Sequence, residues 1–291
     1  MTPSEPNIVS TPRALFRPDP VIGWSLTPGY QVNVGFRPGV VQRIDPDGWR
    51  HVPGSDGNKA GLRVGLYGCS FTYGKALADE ETFAGQLQAQ LPDLRILNRG
   101  ISGHGTVQNL LQLRRDIARQ AVDVAVFNII GDHRYRNIAH PYRMRQYLAP
   151  AWHRQGIEHV PVARLASDGR PEIVYHPIWQ PVTRDAVFHI FLPDDFMINL
   201  ASAAVLNLVQ ETAQAANMPV AFALLDEMDP AFNRMVQDRL DRVHDIATPH
   251  DAHHRFLPDD AHPNVAANTH YANGLLPIIE ELCEQYSGVR L

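Results

Sequence analysis

The chain has 291 residues, of which 44% are hydrophobic and 20% charged, with a formal net charge of −5. This is a globular composition, neither disordered nor fibrous, and at this length one α/β domain with an extension accommodates the chain. The acidic balance, with no Lys/Arg-rich run and no interleaved aromatics, argues against nucleic acid as a partner.

The N-terminal stretch MTPSEPNIVSTPRALFRPDP has no apolar core of signal-peptide type, and no later run of about 18 apolar residues is present to span a bilayer. Two cysteines, Cys69 and Cys283, are too few for a disulfide framework, and no CxxC spacing suggests zinc. A cytoplasmic protein without a membrane span is expected.

Residues 1–60 are rich in Pro and Gly. They contain a strand-like piece from Tyr30 to Phe36 and turn signals at Pro28-Gly29, Pro46-Asp47-Gly48 and Gly54-Ser55-Asp56-Gly57. They read as an extended lead-in packed on a core formed by residues 61–291. The run RVGLYG, 63–68, is short, apolar and closed by glycine, as a buried parallel strand is. A helix over 79–91 follows, with Asp79 as N-cap and Phe83, Leu87 and Leu91 on one face.

LRILNRG, 94–100, is a second strand. After Gly105 a second helix begins, capped by Thr106, with Val107, Leu110, Leu111 and Ile117 as its apolar stripe. VDVAVFNIIG, 122–131, is a third strand. Residues 134–195 break this rhythm and read as an insertion near the active face, in which IEHVPVARL and RPEIVYHPI pair across Ser167-Asp168-Gly169.

The rhythm resumes with a helix over 196–216 and a strand over 219–227. Asp229-Pro230 then caps a helix carrying Phe232, Met235, Val236, Leu240 and Val243, and a last helix follows Pro263 with Pro277 inside it. Strands alternating with helices specify parallel βαβ units and a helix-covered sheet.

Three segments carry chemistry. GCSFTYG, 68–74, presents Ser70 beyond the carboxyl end of a buried strand, where ligands bind in open parallel sheets; Gly68 permits a sharp turn, and the loop amides can face a developing negative charge. Alone, it is better read as a polar strand-to-helix loop in which Ser70 satisfies backbone groups. DDAHPN, 259–264, sets Asp259 three residues before His262, offering a base and the carboxylate that fixes its tautomer. Alone, it is better read as a turn residue, Asp259 or Asp260, and a surface histidine before proline. NRGISGHGTVQ, 98–108, is a glycine-rich, tight strand-to-helix turn, which either serves only as that turn or also brings a backbone N–H beside Ser70.

In their joint occurrence and order, GCSFTYG, NRGISGHGTVQ and DDAHPN resemble the SGNH/GDSL hydrolase superfamily. The match covers roughly 62–133 and 257–275, and the lead-in PVIGWSLTPGY also looks like segments preceding this domain in some members. The resemblance implies a three-layer α/β/α sandwich with a flavodoxin-like, mainly parallel sheet. It implies Ser70 as nucleophile, His262 with Asp259 completing the triad, and the amides of Ser70 and Gly100 in the oxyanion hole.

The expected activity is therefore cleavage of a short-chain or O-acetyl ester, on a small molecule or glycan, through an acyl-enzyme and without cofactor. Acyl transfer from the same serine, or binding of an acylated ligand without turnover, are the alternatives.

Two positions depart from the family. Cys69 stands where an Asp usually precedes the serine; as a rival thiol nucleophile it lacks any feature that would lower its pKa. After the third strand, Asp132 occupies the place of an asparagine that donates to the oxyanion. Losing such a donor costs about 10²–10³ in rate. His133, with Arg134 or Asn137 in reserve, is expected to replace it; alternatively, Asp132 is protonated and donates itself.

The α/β-hydrolase elbow GxSxG is not matched by GCSFT. The histidines around HDAHH, 250–254, lack metal-site spacing, so no metal is expected. Trp152, Tyr175, His176 and Trp179 of the insertion are expected to shape the substrate pocket, or equally to pack the insertion on the sheet.

Overall fold

A computed structural model describes residues 15–55, 61–144, 152, 154–178 and 193–288. Its centre is a five-stranded parallel sheet of β5 (Arg63–Tyr67), β6 (Arg95–Asn98), β7 (Val124–Ile129), β10 (Val220–Asp226) and β11 (Val243–Thr248), in the order β11-β10-β7-β5-β6. Taken along the chain, these five strands lie in the order 2-1-3-4-5, the flavodoxin-like arrangement, which puts the topological switch point between β5 and β7.

Side chains alternate along each strand, so each face of the sheet receives every second residue. Ala125, Phe127 and Ile129 of β7 and Phe222 and Leu224 of β10 face one core; Val124, Val126, Ala221, Ala223 and Leu225 face the other. The first core is covered by α3 (Thr106–Ala118), α6 (Asp195–Ala215) and α7 (Pro230–Arg239). The second is covered by α2 (Phe83–Gln90) and α8 (Val265–Ser287). The expected three-layer α/β/α sandwich is what the structure has.

The helix starts follow side-chain chemistry. Asp194 accepts from the Met197 amide, Asp229 from Phe232 with Pro230 following it, and Asn264 from Ala267. Pro277 lies inside α8, which runs on past it.

Four element assignments are corrected. Helix α2 starts at Phe83 with Thr82 as its cap, because Asp79 is engaged by Arg43 and Arg50 of the lead-in. Gly105, not Thr106, caps α3; the first amides of that helix are taken up by the side chains of Gln108 and Asn137. Helix α7 ends at Arg239, so Val243 begins β11, an edge strand that sequence periodicity had merged with the helix. Tyr30 to Phe36 contains only a short strand, β3 (Gln31–Asn33), paired antiparallel with β4 (Val41–Arg43).

Apolar side chains from residues 15–55 enter the core. Hairpin β1 (Phe16–Asp19)/β2 (Gly23–Leu26) buries Phe16, Ile22, Trp24 and Leu26, and Trp24 donates through Nε1 to Ser102 O, 3.2 Å away. Pro28-Gly29 and the turn at Gly48 form with positive φ at both glycines; Asp56-Gly57 lies outside the described residues.

The expected hairpin of the insertion is present as β8 (His159–Leu165) and β9 (Pro171–Pro177), with Gly169 at positive φ in the turn. Trp152 is fully enclosed, 4.8 Å from Trp24 and 6.2 Å from Phe16 between ring centroids, so it packs the insertion onto the lead-in rather than lining an open pocket. Tyr175 donates to Val21 O and His176 sits on Pro177 O, while Trp179 lies outside the described residues. Among the described residues no helix is long and apolar enough to cross a membrane.

Candidate active site

Ser70 lies at the switch point, where β5 ends. It opens a single helical turn, α1 (Ser70–Tyr73), which Gly74 closes in the left-handed conformation. As the first residue of that turn, its amide has no intrahelical acceptor.

The turn fits only because two glycines face it. A Cβ on Gly68 would strike the Thr72 side chain, and a Cβ on Gly100 would strike the backbone of Thr72 and Tyr73. Asn98, at the end of β6, fastens the two loops: its side-chain amide donates to Thr72 O at 2.7 Å and its carbonyl accepts from Gly100 N at 3.0 Å. Cys69 is buried, and its Sγ is 3.9 Å from Ser70 Oγ.

The loop before α8 delivers the histidine. His262 Nε2 is 2.9 Å from Ser70 Oγ, and Nδ1 is 2.5 Å from Oδ1 of Asp260. The same Oδ1 accepts from the His262 amide at 2.8 Å, so Asp260 holds both ring and backbone of the residue two places on. Asp259, expected in this role, is solvent-exposed. The physical reason is the loop's own pairing. Asp260 N donates to Phe256 O and Phe256 N to His262 O, which turns residue 260 inward and leaves 259 at the rim.

Lys75 completes the chain, with Nζ 3.0 Å from Asp260 Oδ2. Burial pushes the Asp260 carboxyl up, but the His262 hydrogen bond and charge and the Lys75 ammonium outweigh it and hold Asp260 well below the usual carboxylate range. Burial lowers the proton affinity of His262, the Asp260 hydrogen bond raises it, and the charges of Lys75 and Arg136 lower it further; the net direction is down.

The end of β7 holds a buried ionic cluster. Oδ2 of Asp132 receives Nε of Arg136 at 2.8 Å and the guanidinium of Arg143. Pairing of this kind suits a carboxylate better than the neutral donor expected as the alternative. Two of the expected substitutes are also engaged elsewhere. Arg134 pairs with Asp229 and Asp195 and donates to Asn199, and Asn137 caps α3.

His133 differs from these. It is 1% exposed, burial depresses its pKa to about 3, and neither ring nitrogen has a hydrogen-bond partner among the described residues. The Gly100 amide, expected to face the oxyanion, points instead to Asn98.

Sequence reasoning missed Asp260, Lys75, Asn98 and Arg136. The doubled Asp259-Asp260 was the one available signal for the first. Among the described residues no cluster of three His, Cys, Asp or Glu side chains is placed to hold a metal ion; His254 instead pairs with Asp251.

Fold and site together define an α/β/α sandwich whose switch point carries a Ser–His–Asp hydrogen-bond chain. No family model matches this chain, and no curated protein matches it. Solved structures that it is similar to include the psychrotrophic esterase EstA from Pseudoalteromonas sp., 13% identical, covering 75% of this chain and 97% of that one at a TM-score of 0.44. Another is a catalytic mutant of an acetylxylan esterase from Geobacillus stearothermophilus, 14% identical over 76% and 96% of the two chains, TM-score 0.45. A third is TesA, 14% identical over 76% and 99%, TM-score 0.42. Likeness at this level assigns no reaction to this chain; its own atoms must do so.

Proposed function

We propose that this chain is a serine esterase of the SGNH/GDSL type that cleaves a short-chain or O-acetyl ester, on a small molecule or glycan, through an acyl-enzyme at Ser70. The observation that supports this is the hydrogen-bond chain Ser70 Oγ, His262 Nε2, His262 Nδ1, Asp260 Oδ1, with links of 2.9 and 2.5 Å, at the carboxyl end of the sheet. A hydroxyl is a weak nucleophile, and an imidazole aligned by a carboxylate is what activates it.

In this reading, Ser70 Oγ attacks the ester carbonyl as its proton passes to His262 Nε2. The tetrahedral oxyanion collapses, breaking the bond to the alcohol oxygen, and His262 returns the proton to that oxygen. Water then attacks the acyl-serine, with His262 taking a proton from the water and giving one back to Ser70, and the carboxylic acid leaves. Asp260 stays ionised throughout, fixing the Nδ1–H tautomer and steadying the imidazolium.

The oxyanion is held by the amide of Ser70, which has no intrahelical acceptor, and by His133. With its pKa depressed to about 3, that histidine is neutral and carries one ring N–H, for which there is no acceptor among the described residues. Its neutrality also explains how a donor can sit near Arg136 without adding charge.

The test runs an ester panel on wild type and Ser70→Ala, with fluorophosphonate labelling of Ser70 in parallel. Turnover and labelling, both abolished by the substitution, are expected. A wild-type protein that neither labels nor turns over any ester would indicate a ligand-binding domain, and suppression of acid release by an added alcohol acceptor would indicate acyl transfer.

A further inference from the structure

Among the described residues, Lys75 is the one cation in direct contact with the Ser–His–Asp chain. It follows Gly74, which closes the nucleophile turn, and its own amide donates to Ser70 O at 3.0 Å. Its Nζ crosses to the histidine loop and meets Asp260 Oδ2 at 3.0 Å. The same two segments are therefore joined twice, once through Ser70 and His262 and once through Lys75 and Asp260. Each oxygen of Asp260 is committed, Oδ1 to His262 and Oδ2 to Lys75, so the carboxylate is held against rotation.

We propose that Lys75 is a positioning residue that locks the Asp260 carboxylate against His262 and sets a positive charge behind it. This rests on the reading of Ser70 and His262 as the reacting pair. The charged groups that face His262 are Asp260 from its own loop, Lys75 from the segment after α1, and Arg136 from α4 (His133–Asn137); the Phe71 ring meets it edge-on at 5.9 Å.

Two cations oppose one carboxylate there. An ammonium on the far oxygen of Asp260 opposes the imidazolium and also makes the carboxylate a weaker partner for it; both effects have the same sign. With the Lys75 side chain 28% exposed, water screens part of this.

The test measures the titration of the His262 ring by NMR of histidine-labelled full-length protein, in wild type, K75Q, K75M and K75R, alongside fluorophosphonate labelling of Ser70. The His262 midpoint is expected to rise by about half a pH unit or more in K75Q and K75M and to stay near wild type in K75R, as a charge effect of a partly screened ammonium requires. The acid limb of Ser70 labelling should move with it. K75M keeps the aliphatic stem, so loss of fold in K75Q leaves it decisive.

An unmoved His262 midpoint in folded K75Q or K75M overturns the inference, even where labelling slows. Absence of labelling in wild type, with the midpoint shifting as expected, would overturn the esterase reading and leave the Lys75 inference standing.

Discussion

Asp260 Oδ1 lies 2.5 Å from His262 Nδ1, while Asp259, its neighbour in sequence, faces solvent. The two aspartates differ by one position and by everything the imidazole requires. Asp260→Asn offers the ring a side chain whose orientation favours the wrong tautomer, and it should lower kcat/KM for an activated acetyl ester by about 10²–10⁴. Asp259→Asn should leave it within about twofold, as an exposed substitution away from any partner does. Equal losses in the two variants would return the role to Asp259.

The pH dependence follows from the groups around His262. Its burial, with Lys75 and Arg136 nearby, outweighs the favourable bond to Asp260 and sets its proton affinity below the ordinary histidine value of 6.5. A base must be unprotonated to work, so activity is retained as pH falls through 6.5 and is lost only when pH drops through the lower midpoint. A kcat/KM profile with an acid limb above 6.5 would contradict this ordering.

Gly100 is required by contact rather than by its φ. A Cβ there would meet Tyr73 N and the Thr72 carbonyl carbon, atoms of the turn that carries Ser70. Gly100→Ala is expected to cost about 1–3 kcal/mol of stability, the range for overpacking a close-packed interior. It should also slow fluorophosphonate labelling of Ser70 by displacing α1. Urea unfolding and labelling rates measured on one preparation check both, and a variant with wild-type values in each would mean the two loops separate at no cost.

Much of the sheet was legible because each buried parallel strand is a short apolar run with punctuation at its ends. Gly68 and Gly131 close two of them, and Asp229-Pro230 announces a helix. Strand β11, VHDIAT, was not legible: it is an edge strand that is largely half-buried, so it lacks the apolar run, and Val243 continues the spacing of the helix before it.

At the site, Ser70 and His262 were legible because the proposed nucleophile and base stand in two short loop motifs, GCSFTYG and DDAHPN, whose order along the chain can be read. Asp260, Lys75 and Asn98 were not, because their roles depend on how a loop turns. A carboxylate two residues before a histidine and one three residues before it look alike until the bond from Asp260 N to Phe256 O decides which side chain points in.

The lead-in is held by an ion pair that sequence had assigned to a helix cap. Asp79, 1% exposed, receives the guanidiniums of Arg50 and Arg43, and Arg50 also donates to Tyr73 O and Leu77 O around the nucleophile turn. Asp79→Ala leaves the enclosed Arg50 charge uncompensated and should destabilise the protein by about 3–5 kcal/mol. An Arg50→Met/Asp79→Leu double variant should recover most of that loss, since removing both charges removes the penalty. Urea midpoints for the single and double variants measure it; a single variant as stable as wild type would mean that the lead-in does not depend on this pair.

Acid should destabilise the fold well before the carboxylates titrate. His104 and His133 are fully enclosed and burial holds both near a pKa of about 3, with Arg136 acting in the same direction on each. In the unfolded chain each takes a proton near 6.5, so the unfolded state binds more protons throughout the interval between the two values. Stability present above pH 6.5 is therefore lost as pH falls, by about 1.4 kcal/mol per pH unit for each histidine.

Urea unfolding at intervals from pH 7.5 to 4.5 should show this slope. His133→Gln should reduce it by about one proton's worth, because glutamine keeps a polar side chain but does not titrate. A stability that stays flat from pH 6.5 to 5 would mean that both rings accept a proton inside the folded protein, and His133 could then no longer be the neutral donor proposed for the oxyanion.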